Sequence, residues 1–175
     1  GATTRSGLLS NPLRDRFMAN LHFDFYKNEE LAKIIANNAI KLKIKLSEEA
    51  RDLMSQCSRG TPRIANRILR RVRDFTIVRG KDEICIDEVK TALDLMDIDH
   101  LGLDRMDRKI LSVIDEFYGG GPVGIEALCA TLSEDRSTIE DVYEPYLLKE
   151  GFILRTPRGR AISEKTKNHL TSLFN

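Results

Sequence analysis

The sequence predicts a mainly α protein made of two small helical modules, the second of them carrying a β-hairpin. Three observations predict it. Of the 175 residues, 41% are hydrophobic and 31% charged, a balance that suits a folded, helix-rich chain and not a disordered one. Apolar side chains recur at helical spacing through most of the chain. A polar stretch, Asp97–Gly102, separates two such helical runs and marks a boundary between modules.

Residues 1–26 read as the tail of another unit. Pro12-Leu13-Arg14-Asp15-Arg16-Phe17 suggests a short helix or turn ending at an Arg-Phe pair. Leu21-His22-Phe23-Asp24-Phe25 alternates apolar and polar, the pattern of a half-buried strand whose partner strands lie elsewhere. The chain opens on Gly1-Ala2-Thr3-Thr4-Arg5 with no initiator Met, so a preceding part is expected.

Residues 27–100 predict a four-helix bundle with short connections. Asn28 caps a first helix to about Leu42, with Leu31, Ile34, Ile35 and Ala39 on one face. Ser47 caps a second, with Glu48 and Glu49 in its first turn. Thr61 suits the N-cap and Pro62 the first helical position of a third, whose apolar stripe is Ile64, Ile68, Val72 and Phe75. Ile84-Cys85-Ile86 is a brief extended piece, and Asp87 caps a fourth helix to about Met96.

Residues 101–175 predict a second module. Asp104 starts a helix that Gly119-Gly120-Gly121-Pro122 breaks. A short helix, Ile125–Leu132, follows. Ser137 and Glu140 form a capping box for a third helix, in which Pro145 disturbs one turn and after which Gly151 sits as the C′ residue. Residues 152–156 and 160–163 read as strands joined through Pro157-Arg158-Gly159, and a last helix runs from about Glu164 to Phe174. Three helices and then a hairpin is the order of a winged-helix domain.

The charge pattern selects the residues of interest. Net charge is only +1, so local clusters must carry any electrostatic argument. Nine Lys or Arg against two acids fall between Arg51 and Lys81. Arg63 stands out among them. It occupies the first turn of a helix, where a cation is disfavoured unless an anion is near. It is therefore either part of a solvated basic face or a sensor for phosphate. In the hairpin, Arg155, Arg158 and Arg160 fall within six positions with no acid between them, inside a module of ten basic and twelve acidic side chains. Such a wing suits phosphate-backbone contact, and the acidic helix before it suits binding without base reading. Tyr143 and Tyr146 at helical spacing fit a core better than a base-stacking platform.

Other chemistries find no support. The cysteines (Cys57, Cys85, Cys129) are isolated and odd in number, the three His are scattered, and no metal site is expected. There is no apolar run near 18 residues, no signal peptide, no phosphate-binding G-x-x-x-x-G-K-[ST] loop and no nucleophile constellation. A cytoplasmic, reducing setting and no membrane partner are expected.

Gly1-Ala2-Thr3-Thr4-Arg5-Ser6-Gly7, Pro12–Phe17, Arg59-Gly60-Thr61-Pro62-Arg63-Ile64, Gly119–Gly124, Glu144-Pro145-Tyr146 and Arg155-Thr156-Pro157-Arg158-Gly159-Arg160 closely resemble, in order, the RuvB family of bacterial Holliday-junction branch-migration motors. Met18-Ala19 and the third Gly of Gly119–Gly121 depart from that family's usual pattern. The resemblance implies an AAA+ ATPase: a remnant of the α/β P-loop domain (1–26), a helical lid (27–100) and a DNA-binding winged helix (101–175). It implies that Thr4 is the sensor 1 residue. Arg16 would be the arginine finger acting on a neighbouring subunit, with Arg14 as the alternative. Arg63 would be sensor 2, next to Pro62, touching the nucleotide of its own subunit. The wing arginines Arg155, Arg158 and Arg160 would contact DNA. It further implies ATP or ADP with Mg²⁺ in the parent protein, a homo-hexamer, duplex DNA at Holliday junctions, and a RuvA-type partner bound through an upstream surface. Without the P-loop, this chain alone is expected neither to hold nucleotide tightly nor to hydrolyse it. Two other readings remain: an AAA+ replication initiator that binds origin DNA, which would want a basic third helix, and a non-enzymatic winged-helix module, which would leave Arg16 and Arg63 without a role.

Overall fold

A computed structural model describes residues 1–3 and 6–173. The N-terminal segment carries a single 3-10 turn (Ser6–Leu8) and the short helix α1 (Asn11–Arg14), with Pro12 in its first turn. The strand expected at 21–25 does not form. Leu21 and Phe23 are 80% and 86% exposed, because no other strand among the described residues lies beside them to take their backbone groups. The segment is nonetheless anchored at its end, where the Tyr26 N–H donates to the Gly60 carbonyl at 2.9 Å.

The first bundle comprises α2 (Asn28–Lys41), β1 (Lys45–Leu46), α3 (Glu48–Gln56), α4 (Pro62–Val78), β2 (Glu83–Ile84) and α5 (Ile86–Leu95). Ser47 caps α3 as expected, its hydroxyl accepting the Ala50 N–H at 3.3 Å. Two caps differ by a residue or two. Asn28 lies inside α2, and Glu30 reaches back to the Lys27 N–H. Asp87 lies inside α5, and Glu88 reaches back to the Cys85 N–H. In both cases a first-turn carboxylate claims a free donor and moves the start forward. The parallel pairing of β1 with β2 (Lys45↔Glu83, Leu46↔Ile84) ties the α2–α3 loop to the α4–α5 loop. Leu31, Ile35, Met54, Ile68, Leu69, Val72 and Ile84 are fully buried and form the centre of this core.

The second module comprises α6 (Arg105–Tyr118), α7 (Ile125–Leu132), α8 (Arg136–Thr138), α9 (Glu144–Lys149), β3 (Ile153–Thr156), β4 (Gly159–Ile162) and α10 (Glu164–Leu173). Its own core gathers Leu103, Ile110, Leu111, Ile114, Leu128, Leu147, Phe152 and Ile153. Asp104 caps α6 by accepting the Met106 and Asp107 N–H groups at 2.8 and 3.0 Å. The capping box expected at Ser137 is absent. α8 starts two residues earlier, with Asp135 at the cap, and the Glu140 carboxylate is held by arginines instead. Between α8 and α9 the chain makes a wider π turn, Ile139–Tyr143, with the Glu144 N–H bonded back to Ile139. Pro145 follows at once. It has no N–H to give and its ring needs room behind it, which the wide turn provides. β3 and β4 pair antiparallel across the Pro157-Arg158 turn. Val123 exchanges both backbone bonds with Arg160, at 2.8 Å each, and so adds a third edge to the hairpin.

One buried carboxylate makes the first bundle acid-sensitive. Glu88 is about 2% exposed and ion-paired to Lys81. That bond, opposed by burial, holds its carboxyl below the usual 4.5. A lowered native value stabilises the fold above about pH 4.5, and that stabilisation is lost as pH falls through the native value. Denaturant titrations from pH 7 to pH 3 should show this loss, and Glu88→Gln should flatten that part of the profile.

Candidate functional site

The candidate site residues fall at three places. The first is the start of α4. Gly60 (φ +68°) turns the chain into the helix, and a Cβ there would lie 2.8 Å from Phe25 Cβ and 2.9 Å from Lys149 Nζ. Thr61 sits at the N-cap, but its hydroxyl donates back to the Arg59 carbonyl at 3.1 Å and does not cap the helix. Pro62 occupies the first turn, which contains no acid. Arg63 is exposed there and has no ion-pair partner among the described residues. A guanidinium without an ion-pair partner at the positive end of a 17-residue helix is a place for an anion. Further along α4, Arg67, Arg70 and Arg71 are also exposed.

The second place is the turn after α1. Arg16 is exposed and has no ion-pair partner among the described residues, while Arg14 turns inward and donates to the Leu9 carbonyl at 3.3 Å. Thr4 lies outside the described residues.

The third place is the wing, and here the arginines divide. Arg158 is exposed at the turn, where only its backbone is engaged, the N–H donating to Thr156 Oγ1 at 3.3 Å. Arg155 and Arg160 face each other across the ladder, an arrangement that like charges disfavour. Glu144 resolves it. Its carboxylate, 1% exposed, takes Arg155 at 2.5 Å and also pairs with Arg160. Arg160, 12% exposed, also donates to Glu140 at 2.9 Å, and Arg136 holds the other side of Glu140 at 2.9 Å. The bonds to Arg136 and Arg160 keep the Glu140 carboxyl below its usual range. Arg160 therefore points into the protein. Of the three wing arginines, Arg158 has the charge left over for a partner.

Sequence reasoning missed Arg59. It adopts the left-handed conformation (φ 54°), which costs a side-chain-bearing residue about 1–2 kcal/mol. The conformation delivers its guanidinium to Asp107 at 2.9 and 3.3 Å and to Asp104 at 3.3 Å. It also lies over the Tyr146 ring, 4.5 Å from the centroid. Asp107 is fully buried, and burial pushes its carboxyl up to about 7 against the pull of Arg59. The signal was present in two places: Arg-Gly just before a helix cap, and acids three apart at the start of α6.

Nothing at these places forms a nucleophilic or metal centre. Burial and then the Asp99 charge push the Cys57 thiol up to about 12. Tyr146 is buried, with its hydroxyl donating to the Leu101 carbonyl at 2.8 Å, and is not free to stack on a base. Among the described residues no group of three His, Cys, Asp or Glu could hold a metal ion, and no helix is long and apolar enough to cross a membrane.

Known proteins match both modules. The RuvB AAA lid domain model matches residues 26–99, and the RuvB C-terminal winged helix domain model matches residues 100–171. The Holliday junction branch migration complex subunit RuvB of Lactobacillus johnsonii is 52% identical over 165 residues, 94% of this chain and 49% of that protein. Its counterpart in Thermosipho melanesiensis is 53% identical over 170 residues, 97% of this chain and 54% of that protein. The solved Thermotoga maritima RuvB Holliday junction branch migration motor superposes with a TM-score of 0.93 at 50% identity, covering 98% of this chain and 57% of that one. The chain thus spans about half the length of the curated relatives it matches.

The wing network sets a stability difference. Glu144→Ala leaves Arg160 inside without its main counter-charge and should destabilise the second module by about 3–5 kcal/mol in urea titrations. Arg158→Ala, at an exposed turn, should stay within about 0.5 kcal/mol of wild type.

Proposed function

We propose that this chain, which belongs to the RuvB family, is the lid and DNA-binding part of an ATP-driven motor subunit that migrates Holliday junctions in recombination and repair. The observation that carries the reading is the pairing, in one chain, of an uncompensated cation at a helix start (Arg63) with an uncompensated cation on a protruding hairpin turn (Arg158). One suits a nucleotide phosphate and the other a DNA phosphate.

In this reading residues 1–26 complete a P-loop domain, residues 27–100 are the lid and residues 101–175 bind DNA. Thr4 is sensor 1 and watches the γ-phosphate. Arg63, oriented by Pro62, touches the nucleotide of its own subunit as sensor 2. Arg16 reaches the nucleotide of the next subunit and stabilises the charge that develops as the γ-phosphoryl leaves. ATP with Mg²⁺ is held by a P-loop in the rest of the subunit. Six subunits form the ring, a RuvA-type protein docks on the preceding domain, and the work is done in the bacterial cytoplasm. Arg158 grips the backbone without reading bases, as a translocating motor requires. Arg155 and Arg160 support the wing from behind and lend it residual positive charge.

The full-length subunit tests this. Arg16→Ala should lower junction-stimulated ATP hydrolysis by about 10³-fold or more, and Arg63→Ala should lower both nucleotide affinity and turnover. If both variants keep full activity, the motor assignment of these residues is wrong. Arg158→Ala should weaken duplex binding by the same factor for every sequence and reduce the salt slope by about 0.9. A loss that depends on sequence would favour an origin-binding initiator.

A further inference from the structure

Arg59 has no part in the nucleotide and DNA contacts proposed above, yet at the junction of the two modules it holds two carboxylates, Asp104 and Asp107, and lies over the Tyr146 ring. The modules have separate cores. Among the described residues, the side-chain hydrogen bonds and ion pairs that join residues 27–96 directly to residues 103–173 are those of Arg59 to Asp104 and Asp107. The other bonds across the junction pass through residues 97–102. The Cys57 thiol donates to the Asp99 and His100 carbonyls, Tyr146 to Leu101, and Asp99 binds His169 at 3.0 Å.

Arg59 is also joined to the nucleotide-facing end of α4 by a short rigid path. Its carbonyl accepts the Thr61 hydroxyl, and the Thr61 carbonyl accepts the Ile64 and Ala65 N–H groups that begin the helix. The adjoining Gly60 carbonyl takes the Tyr26 N–H from the segment that carries Arg16. Lys149, at the end of α9, lies over the Phe25 ring, 5.0 Å from its centroid.

We propose that Arg59 is a positioning residue that clasps the winged-helix module to the nucleotide-facing loop, so that a shift of α4 swings the DNA-gripping wing with it as one body. This rests on the motor reading above. A forked, buried guanidinium suits the task because two carboxylates and a ring face constrain its orientation as well as its distance. A flexible tether would let the lid turn while the wing stayed on its phosphate.

The first test uses the full-length subunit with its junction DNA, measuring ATP hydrolysed and base pairs migrated in the same reaction. Arg59→Ala should keep ATP turnover near wild type while base pairs moved per ATP fall by at least about 5-fold. Arg59→Lys, which keeps the charge and loses the fork, should fall in between. A loss of fold alone would lower both quantities together and leave their ratio unchanged, and an unchanged ratio in both variants overturns the clasp. The second test does not need the motor. In this chain, with Cys85 and Cys129 replaced by Ser, spin labels at Ile40→Cys and Phe117→Cys should give one narrow distance distribution, which Arg59→Ala broadens. A distribution that stays narrow overturns the clasp whatever the first assay shows. If the wild-type subunit migrates no junction while Arg59→Ala broadens the distribution, the motor reading fails and the clasp stands.

Discussion

The bond between Arg59 and Asp107 joins the two halves of this chain where their separate cores meet. Its geometry is demanding at both ends. Arg59 must adopt a left-handed backbone that most side chains avoid, and Asp107 must keep a carboxylate where no water reaches it. Neither arrangement is favourable alone. Together each supplies what the other lacks: the guanidinium offers two donors to a buried acid, and the acid offers a counter-charge to a cation that is itself 12% exposed. The neighbouring contacts gather around that pairing. Gly102 (φ +78°) brings its chain so near that a Cβ would lie 3.0 Å from the Cys57 backbone, and the Tyr146 ring lies under the guanidinium.

The wing obeys a related constraint. Two arginines opposite each other on neighbouring strands would push the hairpin apart. The carboxylate between them comes from the helix behind, at Glu144, which stands between the π turn and Pro145. The acidic character of the third helix and the basic character of the wing are thus a single feature. Glu140 and Glu144 hold the root of the hairpin.

Much of this was legible in the residues. The element order, the Gly60-Thr61-Pro62 entry to α4, the Ser47 and Asp104 caps and the Gly151 stop follow from local rules about free N–H groups and left-handed turns. Local rules failed at Thr61, whose hydroxyl goes to the turn two residues back, and at 21–25, where no strand among the described residues lies alongside. They failed again where a distant partner competed, since Arg160 together with Arg136 draws Glu140 from its expected cap. Distance also hid Arg59 and Glu144. Their roles depend on residues 45 and 16 positions away, and no periodicity reports such a distance.

Burial sorts the arginines better than charge counting does. In the run from Arg51 to Lys81 the cations look interchangeable in sequence. In the fold, Arg59 is enclosed by two acids, Arg73 lies along its neighbour Asp74 at 2.6 Å, Arg79 covers the Phe75 ring at 4.3 Å, and Arg63 stands clear. The wing divides the same way into Arg160 inside and Arg158 outside. A cation already neutralised by a buried carboxylate gives little further energy to a phosphate, since binding would have to break the first pair. The motor reading proposed above uses both kinds. In it, arginines committed to protein carboxylates make the body that moves, and arginines left uncommitted make the contacts that change. Arg59 and Arg63, four residues apart and on either side of one N-cap, are the two kinds placed back to back.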